Sequence, residues 1–371
     1  MDIIDTETLK TLTVAGARKL VKEPWGGNLK GLTRISDKVA EVLGTGVGAL
    51  YLNGLSELSP RAAAALARRK GEVIQYSKRK TNDLILNGLT SISVESAKAL
   101  AGYEGYLMLD GLTKLPDDVA AALAKFKGEN LDLDGLQSIS DKGLASLATS
   151  KTKGLSFGFK SISVTQAKIL KAYKGDLGLS IKHLSTEVAA ILGERRGKLY
   201  MPFLTSLSVG VAVGLANHKG YLDLNGLESL SAKAAWQLAR HKGDIDFGEM
   251  KKLTKEAAKA LAKVEGVVGL DGLETITPGV LAELAKRPDK LDLTGVTSLS
   301  EGVAAVLAKC PGYVYLSLKH LTDRQVEILL PKYAAGTLRL LGLYEGDQQM
   351  RVAWEEARRC GRWPFRKRKG N

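Results

Sequence analysis

Cysteine is nearly missing from this chain, with two residues, Cys310 and Cys360, in 371. That excludes a disulfide framework and fits a reducing compartment. Long apolar runs are missing too: no stretch of about 18 such residues occurs, and the opening MDIIDTETLK is polar and acidic rather than a basic start to an apolar segment. A soluble, cytoplasmic protein without membrane insertion is the expectation. Aromatics make up only 6% against 44% hydrophobic, so leucine and alanine must fill the interior. Chemistry-bearing motifs are absent as well. There is no Gly-x-Ser-x-Gly elbow and no His-Glu-x-x-His, and Gly44, Gly46 and Gly48 lack the Gly-Lys-Ser/Thr ending of a phosphate loop. Of four histidines, His183 and His320 sit in Lys-His-Leu, and His218 and His241 in His-Lys-Gly, with no repeating cysteine or acid to complete a metal site. No catalytic residue, cofactor, metal or small-molecule substrate is expected, and the chain does not read as an enzyme.

What is present is a repeat, shown well by Tyr221–Gly243, YLDLNGLESLSAKAAWQLARHKG. Leu222 and Leu224 alternate with Tyr221, Asp223 and Asn225, the period of a strand with one buried face. Asn225-Gly226 marks a turn, and Leu227 and Leu230 fill a corner. Ser231 is placed to cap a helix by accepting from a first-turn amide. Ala234, Ala235, Leu238 and Ala239 share one helical face. Arg240, His241 and Lys242 suit the negative end of the helix dipole, and Gly243 is expected to supply a left-handed stop.

The copies recur about every 23 residues. The cap slot holds Thr13, Ser36, Ser59, Ser93, Pro116, Ser140, Ser163, Ser185, Ser208, Ser231, Thr254, Thr277, Ser300 and Thr322. Pro116 alone has no side-chain polar atom, so Asp117 is expected to cap there. Seven residues after each cap comes a leucine, from Leu20 and Leu43 through Leu238 to Leu307 and Leu329. Four residues after it the slot is nearly always alanine, as at Ala40, Ala63, Ala97, Ala120, Ala189, Ala212 and Ala258. One unit cannot bury its apolar face alone, so the units must stack.

The pattern L-x-L-x-G-L-x-x-L-S-x-x-x-A-x-x-L-A resembles bacterial leucine-rich-repeat proteins with short repeats, over residues 5–345. The resemblance implies an α/β solenoid of about 14 repeats, with parallel strands on one face and helices on the other, and a role in binding proteins. One departure matters. The asparagine that usually ends L-x-L-x-x-N-x-L is missing, and the turn shortens to x-G-L, as in Asn53-Gly54-Leu55. Backbone pairing at that bend must be met differently.

Residues 1–346 are expected to form the solenoid, with an irregular insertion at 72–82. A helix over 347–360 would close its open end with Met350 and Trp354, and 361–371 would be a basic tail. The formal net charge of +14 raises the question of nucleic acid. Much of it lies in stretches such as RRKG (68–71), KFKG (125–128) and ERRG (194–197), which helix-end electrostatics would explain. Lys78, Arg79 and Lys80, with Arg366, Lys367, Arg368 and Lys369, remain as possible nucleic-acid contacts.

The outward strand positions are the main candidate site. Between the strand leucines stand Tyr51, Met108, Asp132, Tyr200, Asp223 and Asp292. Just after them come Asn53, Asn87, Asp110, Asp134, Asn225 and Asp271. Strands about 4.8 Å apart would stack these into an Asp/Asn ladder with occasional Tyr or Met, although turn chemistry before glycine also favours Asp and Asn. The function expected is a noncatalytic scaffold that binds a protein partner through this face.

Overall fold

The structure is a computed structural model describing residues 8–22, 27–73, 80–287, 290–318, 320–340 and 345–359, with the backbone alone at 72–73, 80–81, 345–347 and 357–359. The chain forms two compact units, Met1–Met201 and Pro202–Asn371. Each is a strand–helix solenoid.

Every expected cap residue is the N-cap of a helix. In thirteen of the fourteen its side-chain oxygen accepts from the amide three residues on, as in Ser59 from Ala62 and Ser140 from Gly143. Pro116 is the exception, and the expected substitute is wrong by one residue. Asp118 takes the amide of Val119 at 2.8 Å, while Asp117 reaches across to the Ser140 hydroxyl. Most helices are two turns long, such as Ala232–Leu238, so propensity alone would not sustain them. Burial does: the leucine seven after the cap closes each of these short helices and is buried, and the alanine at four is fully covered. A buried leucine contributes about 1.5–3 kcal/mol.

In the first unit the strands Gly27–Asn28, Leu50–Tyr51, Asp83–Ile85, Tyr106–Met108, Asn130–Leu133, Gly154–Phe157, Asp176–Leu179 and Leu199–Tyr200 pair in parallel, each with the next. In the second, Leu222–Asp223 pairs Ile245–Asp246, which pairs Val268–Gly269, and Leu291–Leu293 pairs Val314–Leu316, which pairs Leu338–Leu340. The inward leucines stay in register, for example Leu107 opposite Leu131 and Leu131 opposite Leu155.

At the bend where the usual asparagine is missing, the backbone closes a tight turn instead. The corner leucine amide donates to the last strand leucine, as in Leu55 to Leu52 at 3.1 Å and Leu136 to Leu133 at 2.9 Å. Glycine is required there by close stacking. A Cβ on Gly54 would meet the carbonyls of Lys30 and Leu32, and one on Gly111 those of Asn87 and Leu89. Gly243 likewise is not a left-handed stop, since only Gly48, Gly197 and Gly336 have positive φ among the described glycines. The helix before Gly243 ends in a right-handed cap at Ala239, and the glycine makes room for the Gly220 carbonyl.

Within the irregular insertion expected at 72–82, Glu72–Val73 pairs antiparallel with Lys80–Thr81. At the far end the nonrepeat helix spans Glu345–Arg359 and packs on the helix Asp323–Ala334. Met350 is fully buried, and Gln349 both accepts from the Leu321 amide at 2.9 Å and donates to its carbonyl at 3.1 Å.

A second column, ten residues after the cap, was not foreseen. It holds Arg69, Tyr103, Phe126, Ser150, Tyr173 and Arg195 in the first unit, and His218, His241, Val264, Arg287, Cys310 and Lys332 in the second, all buried. Several of its polar members reach carbonyls in the turn between helix and strand, while the Tyr103 hydroxyl donates to the Asn82 side chain at 2.7 Å. Arg69 donates to Leu43 O at 2.6 Å, Val47 O at 2.6 Å and Gly48 O at 2.9 Å. Arg287 donates to the carbonyls of Leu261, Val264 and Gly266 in the same manner. Lys332 donates to Cys310 O at 2.8 Å and Gly312 O at 2.9 Å, and the Tyr173 hydroxyl to Thr152 O at 2.8 Å. Buried carbonyls need such partners. Burial lowers the pKa of Arg195 to about 10 and that of Arg69 below its ordinary value.

Candidate functional site

The parallel ladder of the first unit aligns one column between the strand leucines: Tyr51, Ile85, Met108, Asp132, Ser156, Gly178 and Tyr200, each opposite the next, with Ile85 buried. Tyr51 is 36% exposed, while Met108, Asp132 and Tyr200 are half-buried. Met108 and Asp132 are therefore direct neighbours. Tyr51 stands two strands from Met108, and Tyr200 three from Asp132, so the column is a row rather than one cluster.

Its centre is polar and tightly bonded. Asp132 accepts from the Asn130 side chain and, at 3.1 Å, from the Ser156 hydroxyl. Burial pushes its carboxyl up to about 7, with repulsion from Asp134 and Asp110 adding to the rise and these two hydrogen bonds opposing it. Burial raises Asp134 as well. The turn row forms the expected ladder. Asn87 donates to Asp110 at 2.8 Å and accepts from its amide at 3.2 Å, and Asp110 in turn accepts from the Asp134 amide at 3.0 Å. These residues hold the turns of successive repeats together while keeping part of their carboxylate surface outward. Asn53 stands exposed in the equivalent turn.

In the second unit the candidates differ. Asp223 is only 8% exposed and accepts from the Asn225 amide at 3.0 Å, so it shapes its own turn. Asp292 accepts from the Thr294 hydroxyl at 2.8 Å and lies 3.6 Å from the Lys290 ammonium. Asp271 is exposed, with its carboxyl raised by burial and by Asp246 and Asp292. His218 and His241 do approach, stacking at 6.1 Å between ring centroids, both buried. His241 Nε2 lies 3.0 Å from the Gly220 carbonyl, and burial holds its pKa below the ordinary value. Among the described residues no group of three or more His, Cys, Asp or Glu is placed to hold a metal ion.

The chain matches no protein-family model and no curated protein. Among solved structures it is similar to an internalin from Listeria monocytogenes, at 16% identity over 84% of this chain and 90% of that one, with a TM-score of 0.41. It is also similar to the Toll–Spätzle complex of Drosophila, at 11% identity over 90% and 60% of the two chains, with a TM-score of 0.39. Likeness at this distance says nothing of function. Among the described residues no helix is long and apolar enough to cross a membrane.

Asn130 and Ser156 were missed, Asn130 because it precedes the first strand leucine, Leu131, and so lies outside both rows read from the sequence. Ser156 was nonetheless legible, since it fills the slot of Asp132 in the next repeat. Of the basic candidates, Lys80 lies in the ribbon strand Lys80–Thr81, and Lys78, Arg79, Arg366, Lys367, Arg368 and Lys369 fall outside the described residues. The helix-end explanation of the remaining basic residues needs correction. The helices before KFKG, ERRG, NHKG and RHKG carry no basic residue in their last turn. These cations follow the helix instead: Lys125 and Arg240 precede the buried column, Lys127, Arg196, Lys219 and Lys242 follow it, and Arg195 belongs to it.

Proposed function

We propose that this protein is a noncatalytic scaffold that binds a protein partner through the outward strand face. The observation that carries this reading is the register-aligned row from Tyr51 through Met108 and Asp132 to Tyr200. Its backbone is held by ladder pairing, and the half-buried side chains of the row keep little rotamer freedom. A preordered surface loses less entropy on association. Tyr and Met supply apolar contact area, and the Asp110, Asp132 and Asp134 group supplies directional acceptors that favour a partner with basic or amide donors. The row varies from repeat to repeat while the leucines behind it do not, so the scaffold and the specificity are separable.

The test is affinity capture with the intact chain and with a variant carrying alanine at Tyr51, Met108, Asp132 and Tyr200. Partners bound by the parent and lost by the variant, with the far-ultraviolet spectrum and melting temperature retained, support the strand face. Retention of every partner by the variant refutes it.

A further inference from the structure

We infer that Lys127, Lys151, Lys174 and Arg196 form a binding ridge for the phosphate backbone of double-stranded nucleic acid. These four residues occupy one slot, eleven after the cap, in four consecutive repeats of the first unit. All four are exposed, and none makes an ion pair among the described residues.

Neither of the ordinary structural explanations accounts for them. Each lies one to three residues beyond its C-cap: Ala124, Thr149, Tyr173 and Glu194. The last turns of three of the four helices carry no basic residue, which is where dipole compensation would place one. Of the acids near the row, three are already engaged, while exposed Glu104 holds the same slot in the preceding repeat and bounds the row at that end. Glu129 pairs with Lys153 at 2.6 Å, Glu194 pairs with Lys171, and Asp176 accepts from the Lys198 amide at 2.8 Å.

The fold instead holds the row in place. Each ridge residue directly follows a buried member of the unforeseen column: Phe126, Ser150, Tyr173 or Arg195. With that side chain fixed inward, the next must point outward. The backbone is stitched across repeats at the same level, with Lys127 N donating to Ala101 O at 3.1 Å and Lys153 N to Glu129 O at 3.0 Å.

Strand spacing of about 4.8 Å gives the row a length of about 14 Å. One strand of a duplex rises about 3.4 Å per phosphate, so four cations face about four phosphates. Lys125 is a further exposed cation beside the row. The aromatic residues of the column behind the row, Tyr103, Phe126 and Tyr173, are all buried and so offer no platform on which unpaired bases would stack. The ridge therefore suits a duplex backbone, contacted without regard to sequence.

The test is fluorescence anisotropy of the intact chain with a labelled random-sequence duplex, titrated between 25 and 200 mM salt. The parent is compared with K127Q/K151Q/K174Q/R196Q and with K38Q/K98Q/K168Q/K233Q, which removes the same charge from exposed helix positions. Log Kobs of the parent should fall linearly with log salt, and the ridge variant should lose about 3–4 from that slope, while the helix variant keeps it. Reading the difference in slope separates the ridge from any other cationic segment. Equal loss in both variants, or no binding by the parent at 25 mM salt, would overturn the ridge. Tighter binding of the parent to a single strand, to a sulfated polysaccharide or to anionic vesicles, lost in the ridge variant, would overturn the duplex assignment.

Discussion

The guanidinium of Arg69 offers the sharpest perturbation of this fold. It is 5% exposed and donates to three main-chain carbonyls of the preceding repeat: Leu43, Val47 and Gly48. Among the described residues no carboxylate pairs with it, and its hydrogen-bond partners are these dipoles. Arg69→Met keeps the aliphatic stem and removes all donors. Charge-assisted hydrogen bonds contribute roughly 1.5–3 kcal/mol each. Two effects reduce the sum: Leu43 O retains a second donor in Gly46 N at 3.1 Å, and a buried guanidinium is no longer desolvated. A net loss of about 3 kcal/mol follows, or about a hundredfold in the opening equilibrium of this region. Arg69→Lys should fall between, since an ammonium has three donors but no planar fork. Urea unfolding of the intact chain gives the overall change, and amide exchange across residues 43–70 shows where it acts. A loss under about 1 kcal/mol in Arg69→Met, with exchange at Gly46 and Gly48 unchanged, would refute the claim that these carbonyls depend on the arginine.

Two further outcomes follow from particular groups. The Asp132 carboxyl is raised in the fold from 3.8 to about 7, so its contribution is fully present below the unfolded value and lost as pH rises through about 7. Asp132→Asn should accordingly be more stable than the parent at pH 8, by about 1–2 kcal/mol after discounting for solvent screening, and close to it at pH 4. A pH-independent difference in urea midpoint would contradict that origin. Truncation after Glu345 removes Met350 and the Gln349 bonds to Leu321, and should lower the melting temperature and promote aggregation. Truncation after Gly361 should leave the melting temperature where it was, and equal behaviour of the two would show that the helix is not a cap.

The periodic leucines and hydroxyl caps were fully legible in the sequence, because each acts within its own repeat. A serine accepts from an amide three residues on, and a leucine seven residues on faces the strand layer, whatever the neighbouring repeat contains. The turn row was legible for a similar reason: Asn and Asp suit the bend, and stacking then brings Asn87 to Asp110 and Asp110 to Asp134. Tertiary structure decided what depends on the distance between repeats. The glycines of the Asn-Gly pairs read locally as turn formers, yet it is the carbonyls of the preceding repeat that leave no room for a Cβ. The basic clusters read as helix ends. Only the packed structure separates Arg69 and Arg195, drawn inward to buried turn carbonyls, from Lys127, Lys151, Lys174 and Arg196 beside that column, which are left outward. Side chains of the same charge and similar length take opposite directions because buried backbone oxygens need donors, and that need is visible only once the repeats have stacked.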